Sequence, residues 1–398
     1  MFDNYYYFVF DLNFIISKPD QMKFKYVLIL FLLLNSITKA QEIKRFDTLF
    51  NYLKIKDDFN GNVLFAEKGN VVYQRSFGYA NFATKTPLTE NSVFELASLS
   101  KGFTSMGILI LMQRGKLSLN DSLRVYFHDL PYKNITIRNL LTHTSGIPDY
   151  MEFFENHWDK SKIASNINVL SLFAQYKPPV HFVPGDRFEY SNTNYVLLAM
   201  IIEKVSGLSY EDFLQKNIFA PLNMDHTRVF NRMVSKKEHL ANYAYSYIVD
   251  EKGQKPVLAD SIKELNYVVY LDGIVGDGSV ISTISDLFKW DRALYTNKLV
   301  QVSTLNEAFT PFKFNDGNES GYAFGWGVRY NDKSIGKCIY VLGSWAGYDN
   351  FLARFIDTDK TIIILRNVSN HNKVNGVYES YINILFDKPN RLPQINPQ

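Results

Sequence analysis

The stretch Phe94–Thr104, FELASLSKGFT, indicates more about the fold than any other part of the chain. Ser98 and Lys101 stand at the start of an apolar run that ends at Gly115. Sustained apolar residues followed by a glycine predict a buried helix over Ser98–Arg114. Because residues three positions apart lie on the same face of a helix, we expect the serine hydroxyl and the lysine amine to be neighbours.

The Ser98-x-x-Lys101 spacing is typical of nucleophilic catalysis. A serine hydroxyl is a poor nucleophile and needs a base beside it. A lysine can act as that base when burial lowers its pKa, because burial disfavours the charged form of the amine. A helix start also directs the Ser98 amide towards a developing oxyanion. The pattern alone is not specific, because it recurs at Ser36–Lys39 and Ser334–Lys337, and a serine at a helix start also serves as an N-cap.

A second motif with catalytic side chains follows about ninety residues later. The tripeptide YSN contains Tyr190 and Asn192 and precedes a predicted apolar helix over Asn194–Val205, which Gly207 ends. A tyrosine oxygen can relay a proton, and an asparagine amide can orient a substrate carbonyl. Tyr-x-Asn recurs elsewhere in the chain, so its position before this helix, rather than the pattern, makes it a candidate.

Strand patterns occur at both ends of the chain, with helices and long loops between them. Near the N-terminus, two β-rich runs flank a Lys-Gly-Asn turn, which is the composition of a hairpin. This order favours an α/β (α+β) fold: a central antiparallel sheet built from both termini and flanked by helices, with an inserted helical subdomain at about 117–293. The predicted strands are Val63–Ala66, Val71–Gly78, Gly325–Tyr330, Cys338–Leu342, Asn350–Phe355 and Thr361–Leu365, and a closing helix is predicted over Val377–Phe386.

The 398 residues have the composition of a globular protein, with 46% hydrophobic and 21% charged residues. A formal net charge of +3, without a block of like charges, argues against nucleic acid as a partner. Cys338 is the sole cysteine, so an intrachain disulfide is excluded. The sequence contains no H-E-x-x-H or C-x-x-C pattern, and we therefore predict neither a metal site nor a cofactor.

Residues 1–40 are predicted to form a signal peptide region. Met22 begins a short basic stretch, Tyr26–Leu34 is an unbroken apolar run, and small residues end Thr38–Ala40. This is the layout of a secretory signal, and the apolar run is shorter than the roughly 20 residues that span a bilayer. We predict export to the periplasm or the medium, a mature domain at 41–398 without a stable membrane span, and Met22 as a candidate true start; an uncleaved anchor is the alternative.

Four longer phrases carry a resemblance to a known family. The chain resembles the serine β-lactamase-related hydrolases, which include class C β-lactamases, D-alanyl-D-alanine carboxypeptidases and related esterases, over nearly all of 43–386. The resemblance implies a sheet flanked by helices, a helical subdomain, and an active-site cleft between them. The phrases are FELASLSKGFT at 94–104, ITIRNLLTHTSGIP at 135–148, FEYSNTN at 188–194 and GDGSVISTISD at 276–286.

The family resemblance also implies roles for particular residues. It implies an acyl-serine intermediate on Ser98, with Lys101 and Tyr190 sharing the proton transfer. The expected substrate is a small molecule or peptide with an ester, amide or β-lactam bond, in a reaction related to the cell wall, and the oligomeric state is left open. His143, in the HTSG phrase, is interpreted as a structural loop histidine. The expected substrate-binding residues are Asn192, Gly343 and Ser344.

One position departs from the family pattern. The third family motif is lysine or histidine, any residue, then glycine, and the matching triplet here runs from Val341 to Gly343. The Ser344 amide can still complete an oxyanion hole with Ser98, but no side chain at 341 can hold a substrate carboxylate. This predicts a preference for neutral substrates such as short acyl esters.

Two functions remain open at the level of sequence. The first is the acyl-serine hydrolase, supported by the intact Ser98, Lys101, Tyr190 and Asn192. The alternative is a catalytically degenerate binding or scaffold protein that kept the fold, and Val341 favours this second hypothesis.

Overall fold

The structure is a computed structural model that describes residues 18–55, 59–235, 240–249, 255–370, 374–390, 392 and 394–395. Its helices are α1 Lys18–Ile55, α2 Lys101–Gln113, α3 Leu123–Tyr126, α4 Ile137–Leu141, α5 Tyr150–His157, α6 Asn166–Tyr176, α7 Asn192–Ser206, α8 Tyr210–Leu214, α9 Tyr267–Tyr270, α10 Ile284–Ala293, α11 Val302–Ala308 and α12 Val377–Leu385. Its strands are β1 Gly61–Glu67, β2 Asn70–Phe77, β3 Tyr79–Asn81, β4 Thr86–Pro87, β5 Phe94–Glu95, β6 Arg228–Val229, β7 Tyr247–Val249, β8 Pro256–Leu258, β9 Val280–Ser282, β10 Gly327–Tyr330, β11 Lys337–Trp345, β12 Tyr348–Phe355, β13 Lys360–Arg366, β14 Val368–Asn370, β15 Val374–Asn375 and β16 Gln394–Ile395.

The main sheet has six strands in the order β10-β11-β12-β13-β1-β2, and every neighbouring pair is antiparallel. Strand β1 lies between its hairpin partner β2 and the C-terminal strand β13, so the two ends of the chain close one sheet. The predicted sheet built from both termini, flanked by helices, is therefore confirmed. The hairpin and the four C-terminal strands lie where the sequence predicts them, although β11 extends three residues further, to Trp345.

The two faces of the sheet are covered by different helices, because successive side chains of a strand point to opposite faces. Val63 and Phe65 pack with side chains of α1 and α12 in one core cluster. Leu64 and Ala66 belong instead to the larger cluster, which contains α2, α7 and α10. The nucleophile helix α2 is thus enclosed in the main core, with every residue from Lys101 to Leu111 buried.

The predicted signal region falls partly outside the described residues, which begin at position 18. Residues 18–40 form the first part of α1, which continues into the part of the chain that packs on the sheet. Within the described residues, no helix combines the length and the apolar composition that a bilayer crossing needs.

The region predicted as a helical subdomain, about 117–293, contains helices α3 to α10 but also four short strands. Strand β9 pairs with both β5 and β6, and β7 pairs with β14 and β8. These strands are two or three residues long, too short for the alternation that identifies a strand in sequence. They connect the helical region to the elements that carry the nucleophile.

The predicted helix over Ser98–Arg114 begins later than its sequence pattern indicates. A 3-10 turn, Ala97–Ser100, precedes α2, which starts at Lys101. Ala97 has a φ of +51°, a left-handed conformation that an alanine rarely adopts. The turn between β5 and α2 is therefore held in place by its surroundings rather than by its own preference.

Candidate active site

The turn at Ala97–Ser100 is fixed on both sides by strands. The Leu96 amide donates to the Val280 carbonyl of β9 at 2.8 Å. On the other side, β11 passes so close that a Cβ on Gly343 would lie 2.3 Å from the Leu96 carbonyl oxygen. Glycine at 343 therefore allows the strand backbone to approach the nucleophile turn, and the predicted site residue Gly343 acts through its missing side chain.

The Lys101 side chain is completely buried and reaches three acceptors. Its Nζ donates to Ser98 Oγ at 3.0 Å, to Asn192 Oδ1 at 2.8 Å and to the Asp277 carbonyl oxygen at 2.8 Å. The ring centroid of Tyr190 lies 4.9 Å from the same nitrogen. Three acceptors around one amine hold it in a single position against the serine.

The Tyr190 hydroxyl is the second group on the nucleophile. It donates to Ser98 Oγ at 2.8 Å, so the serine oxygen lies between the phenol and the Lys101 amine. Tyr190 itself is 40% exposed, which leaves its hydroxyl side open to solvent or substrate. The arrangement brings together the three residues that the sequence predicts as catalytic.

Asn192 is the first residue of α7, and both ends of its amide are engaged. Its Oδ1 accepts from Lys101, while its Nδ2 and its backbone amide donate to Asp149 Oδ2 at 2.9 and 2.7 Å. Burial raises the pKa of Asp149. The backbone amides of Asn192 and Met151, which donate hydrogen bonds to its carboxylate, oppose this rise. Asn192 lines the cavity beside Ser98, and its contacts place it against the lysine amine.

His143 supports the other side of Tyr190. The two rings stack with centroids 4.3 Å apart and an angle of 29°. The buried His143 Nδ1 accepts from the Ser191 amide at 3.1 Å, so the ring proton is placed on Nε2, which has no partner among the described residues. Burial, with a smaller contribution from the Lys101 charge, holds the His143 pKa well below its usual value. The ring is therefore neutral.

A cavity of about 250 Å³ opens beside the nucleophile. Ser98, Asn192 and Ser344 line it, together with carboxylate and aromatic side chains. Lys101 and Tyr190 do not line this cavity; they contact the serine oxygen from other directions. Ser344 lies on β11, one residue after Gly343, so that its backbone borders the same space as Ser98.

Val341 has a different place from the one that the family pattern suggests for a substrate-binding side chain. It lies two residues before Gly343 on β11, on the same face of the strand. Its side chain is only 7% exposed and belongs to the main core, and it does not line the cavity. Valine at this position completes the apolar core beside the turn.

Sequence reasoning missed several groups that position the site. Asp149 directly follows the HTSGIP phrase and Asp277 stands inside GDGSV, but neither residue carried a recognised signal. Asp277 acts on Lys101 through its backbone carbonyl, which no side-chain pattern can reveal. Its carboxylate accepts instead from the Tyr150 hydroxyl at 3.0 Å. In the described part of the chain, no cluster of side chains is suited to hold a metal ion.

Comparison with known proteins points to one family. The Beta-lactamase family profile matches residues 57–382. Penicillin-binding protein 4* of Bacillus subtilis (strain 168) is 44% identical over 357 residues, which cover 89% of this chain and 79% of that protein. An octameric penicillin-binding protein homologue from Pyrococcus abyssi has a TM-score of 0.72 at 25% identity, covering 87% of this chain and 77% of that one. A D-amino acid amidase from Ochrobactrum anthropi SV3 has a TM-score of 0.66 at 25% identity, covering 84% and 94%.

The sheet closed by both termini, with its buried Ser-x-x-Lys helix, identifies the class as the serine hydrolases of the β-lactamase fold. Within that class the match is specific over most of the chain, and the protein belongs to the Beta-lactamase family. The resemblance carried by the four sequence phrases is thereby confirmed.

Proposed function

We propose that this protein is an acyl-serine hydrolase with Ser98 as the nucleophile. One observation carries the proposal: Ser98 Oγ lies 3.0 Å from Lys101 Nζ and 2.8 Å from the Tyr190 hydroxyl, at the wall of a cavity. A nucleophile within hydrogen-bond reach of a base, which is itself oriented by a third group, is the arrangement that activates a hydroxyl. Asn192 and the Asp277 carbonyl supply that orientation for the lysine.

The proposed reaction has two steps. Ser98 Oγ attacks the substrate carbonyl as its proton passes to the Lys101–Tyr190 pair, and the oxyanion is held by the backbone amides of Ser98 and Ser344. The tetrahedral species collapses to a serine ester when Tyr190 returns the proton to the leaving alcohol or amine. A water molecule then attacks the ester, giving its proton to the same pair, and the carboxylic acid leaves as Ser98 regains its hydrogen.

The proposed substrates are esters or amides of small acyl groups. Similar proteins include penicillin-binding proteins and a D-amino acid amidase, which supports acyl transfer from an amide and a role in the cell envelope. Among the described residues that line the cavity there is no lysine, arginine or histidine to attract a substrate carboxylate, so esters without a carboxylate are proposed to react better than carboxylate-bearing β-lactams. Export to the periplasm or the medium is part of this proposal.

A fluorophosphonate probe tests the nucleophile directly. Labelling of the full chain, followed by peptide mapping, is expected at Ser98 and is expected to vanish in Ser98→Ala. Ser334→Ala is the matched control, because Ser334 belongs to a second Ser-x-x-Lys pattern in an exposed turn. Absence of any label at Ser98 would instead favour the degenerate binding protein, for which the substitution at 341 is the sole sequence argument.

A further inference from the structure

The wall of the active-site cavity carries acidic side chains that the proposed reaction does not use. The described residues that line the cavity include three carboxylates, Glu95, Asp272 and Asp277, and none of them is lysine, arginine or histidine. An anionic substrate group would meet repulsion at this wall, whereas a cationic group would be attracted. The composition of the wall therefore bears on which acyl groups the enzyme accepts.

Glu95 is the member of this set whose carboxyl group has no hydrogen-bond partner among the described residues. Asp277 accepts from the Tyr150 hydroxyl, and Asp272 accepts from the Met233 amide at 2.6 Å. The Glu95 backbone is fixed in β5, where its carbonyl accepts from Asn350 Nδ2 at 2.9 Å. In the described part of the chain, its carboxylate makes no hydrogen bond and no ion pair, although it borders the cavity three residues before the nucleophile.

Two aromatic side chains line the same cavity and also suit a cation. Tyr267 and Trp345 meet edge to face, with ring centroids 5.0 Å apart. Aromatic faces attract ammonium groups, and this attraction grows where water is excluded. Carboxylates and aromatic rings in one small cavity are a combination that recognises a positively charged nitrogen.

The protonation states of Glu95 and Asp272 are compatible with a cationic ligand. Burial, followed by the negative charge of Asp272, raises the pKa of Glu95 to about 8, and burial raises the pKa of Asp272 to about 6. Arg232 opposes the rise at Glu95 but is paired with Asp260. Close to neutral pH the two carboxyls thus hold about one proton between them, and an arriving cation replaces that proton, which leaves to solvent. The other titratable groups that act on Glu95 or feel its charge are Asp260, Tyr243 and Tyr348.

We propose that the substrate carries an ammonium group close to its reacting carbonyl, and that Glu95, assisted by Asp272, binds this group. The substrate class is therefore an ester or amide of a small amino acid with a free amine. This inference rests on the proposed acyl-serine reaction and narrows it. Glu95 acts as a specificity determinant and takes no part in the proton transfers at Ser98.

Matched pairs of esters test the inference on the purified protein. Methyl esters of alanine and lactate differ by an ammonium in place of a hydroxyl, and those of β-alanine and 3-hydroxypropionate place the same difference one carbon further away. Methanol release gives kcat/KM for each, with both enantiomers of alanine and lactate. The wild type is expected to favour the amine by about tenfold or more in at least one pair, the usual effect of one charge-assisted hydrogen bond.

Glu95→Gln is expected to lower the amine-to-hydroxyl ratio of kcat/KM by about tenfold. Glu90→Gln is the matched control, since Glu90 is an exposed acid close by in sequence, and it is expected to leave the ratio unchanged. A second measurement needs no variant: propylamine should inhibit hydrolysis of a neutral ester more strongly than propanol does. Equal inhibition, or a ratio that Glu95→Gln does not change, overturns the inference.

The outcomes separate this inference from the proposed function. If the fluorophosphonate labels Ser98 and the lactate ester is hydrolysed without a preference for amines, the acyl-serine reaction stands and the ammonium site is rejected. If Ser98 is not labelled and no ester is hydrolysed, the proposed function itself is rejected. Binding of an amine in the cavity, without labelling or hydrolysis, would not support the acyl-serine reaction.

Discussion

Of the three copies of the Ser-x-x-Lys pattern, those at Ser98–Lys101 and Ser334–Lys337 have opposite surroundings. In the first, the lysine is completely buried and donates to the serine oxygen at 3.0 Å. In the second, the serine lies in an exposed turn where its backbone amide bonds to Asp332 Oδ1 at 2.9 Å, and the lysine begins β11. Identical spacing therefore gives a bonded pair in one place and two separate residues in the other.

The difference shows which surroundings make the pair reactive. Both lysines lie over a tyrosine ring, at 4.9 Å for Lys101 and Tyr190 and at 5.8 Å for Lys337 and Tyr330. What distinguishes the first copy is a 3-10 turn that continues directly into α2 and keeps Ser98 beside Lys101, together with the Asn192 and Asp277 acceptors that fix the amine. Burial and these acceptors, rather than the pattern or the tyrosine, define the candidate site.

Replacing each of the two lysines should give the largest difference in activity between the two copies of the pattern. Lys101→Met removes the base next to Ser98, and we expect kcat for a neutral ester to fall by about 10³-fold or more. Lys337→Met, the same change in the second copy, should leave kcat within about twofold. Both are measured by ester hydrolysis under saturating substrate.

Thermal unfolding of the two methionine variants provides the control. Lys101→Met leaves two buried acceptors without a donor, at a cost of about 1–3 kcal/mol for each unsatisfied group, so it should melt earlier but still cooperatively. A folded Lys101→Met protein with wild-type kcat would contradict the assignment of the base.

Replacing the two tyrosines tests the second group on the nucleophile. Tyr190→Phe keeps the ring stacked on His143 but removes the hydroxyl that donates to Ser98 Oγ at 2.8 Å, and kcat should fall by about 10²-fold. Tyr330→Phe also removes a hydroxyl from a ring beside a lysine and should have no measurable effect. If the two variants behaved alike, the phenol would have no part in proton transfer.

Much of this fold and site follows from the sequence because the strongest signals are also physical requirements. The apolar run after Ser98 had to be a buried helix, and the β-rich segments at both ends had no partners other than each other. The helix start was misplaced because Ala97 adopts a left-handed conformation that its type disfavours. Strand pairing with β9 and the close approach of Gly343 impose this conformation, and both are long-range effects.

The parts of the site that sequence reasoning missed depend on contacts without a residue-type signature. The Asp277 carbonyl holds Lys101 through the backbone, and the free Glu95 carboxylate is evident only once β5 is seen to border the cavity. His143 illustrates the same point. A lone histidine in a loop predicts a structural role, and only the fold shows that its ring stacks on Tyr190.

The burial of His143 leads to the smallest expected effect, on stability rather than rate. Burial, followed by the Lys101 charge, holds its pKa in the folded protein well below the usual value of 6.5, whereas the unfolded chain has that usual value. Below about pH 6.5 the unfolded state therefore binds a proton that the folded state does not, and the free energy of unfolding falls by up to about 1.4 kcal/mol per pH unit.

The His143→Gln variant lacks this contribution of histidine protonation to the pH dependence of the free energy of unfolding. In urea unfolding at pH 7.5, 6.5 and 5.5, the advantage of the wild type over this variant should shrink as the pH falls. His128→Gln, at an exposed position, is the control for replacing a histidine by glutamine. Parallel pH curves for wild type and His143→Gln would mean that the ring takes up a proton in the folded protein, and that Tyr190 stacks on a cation instead of a neutral imidazole.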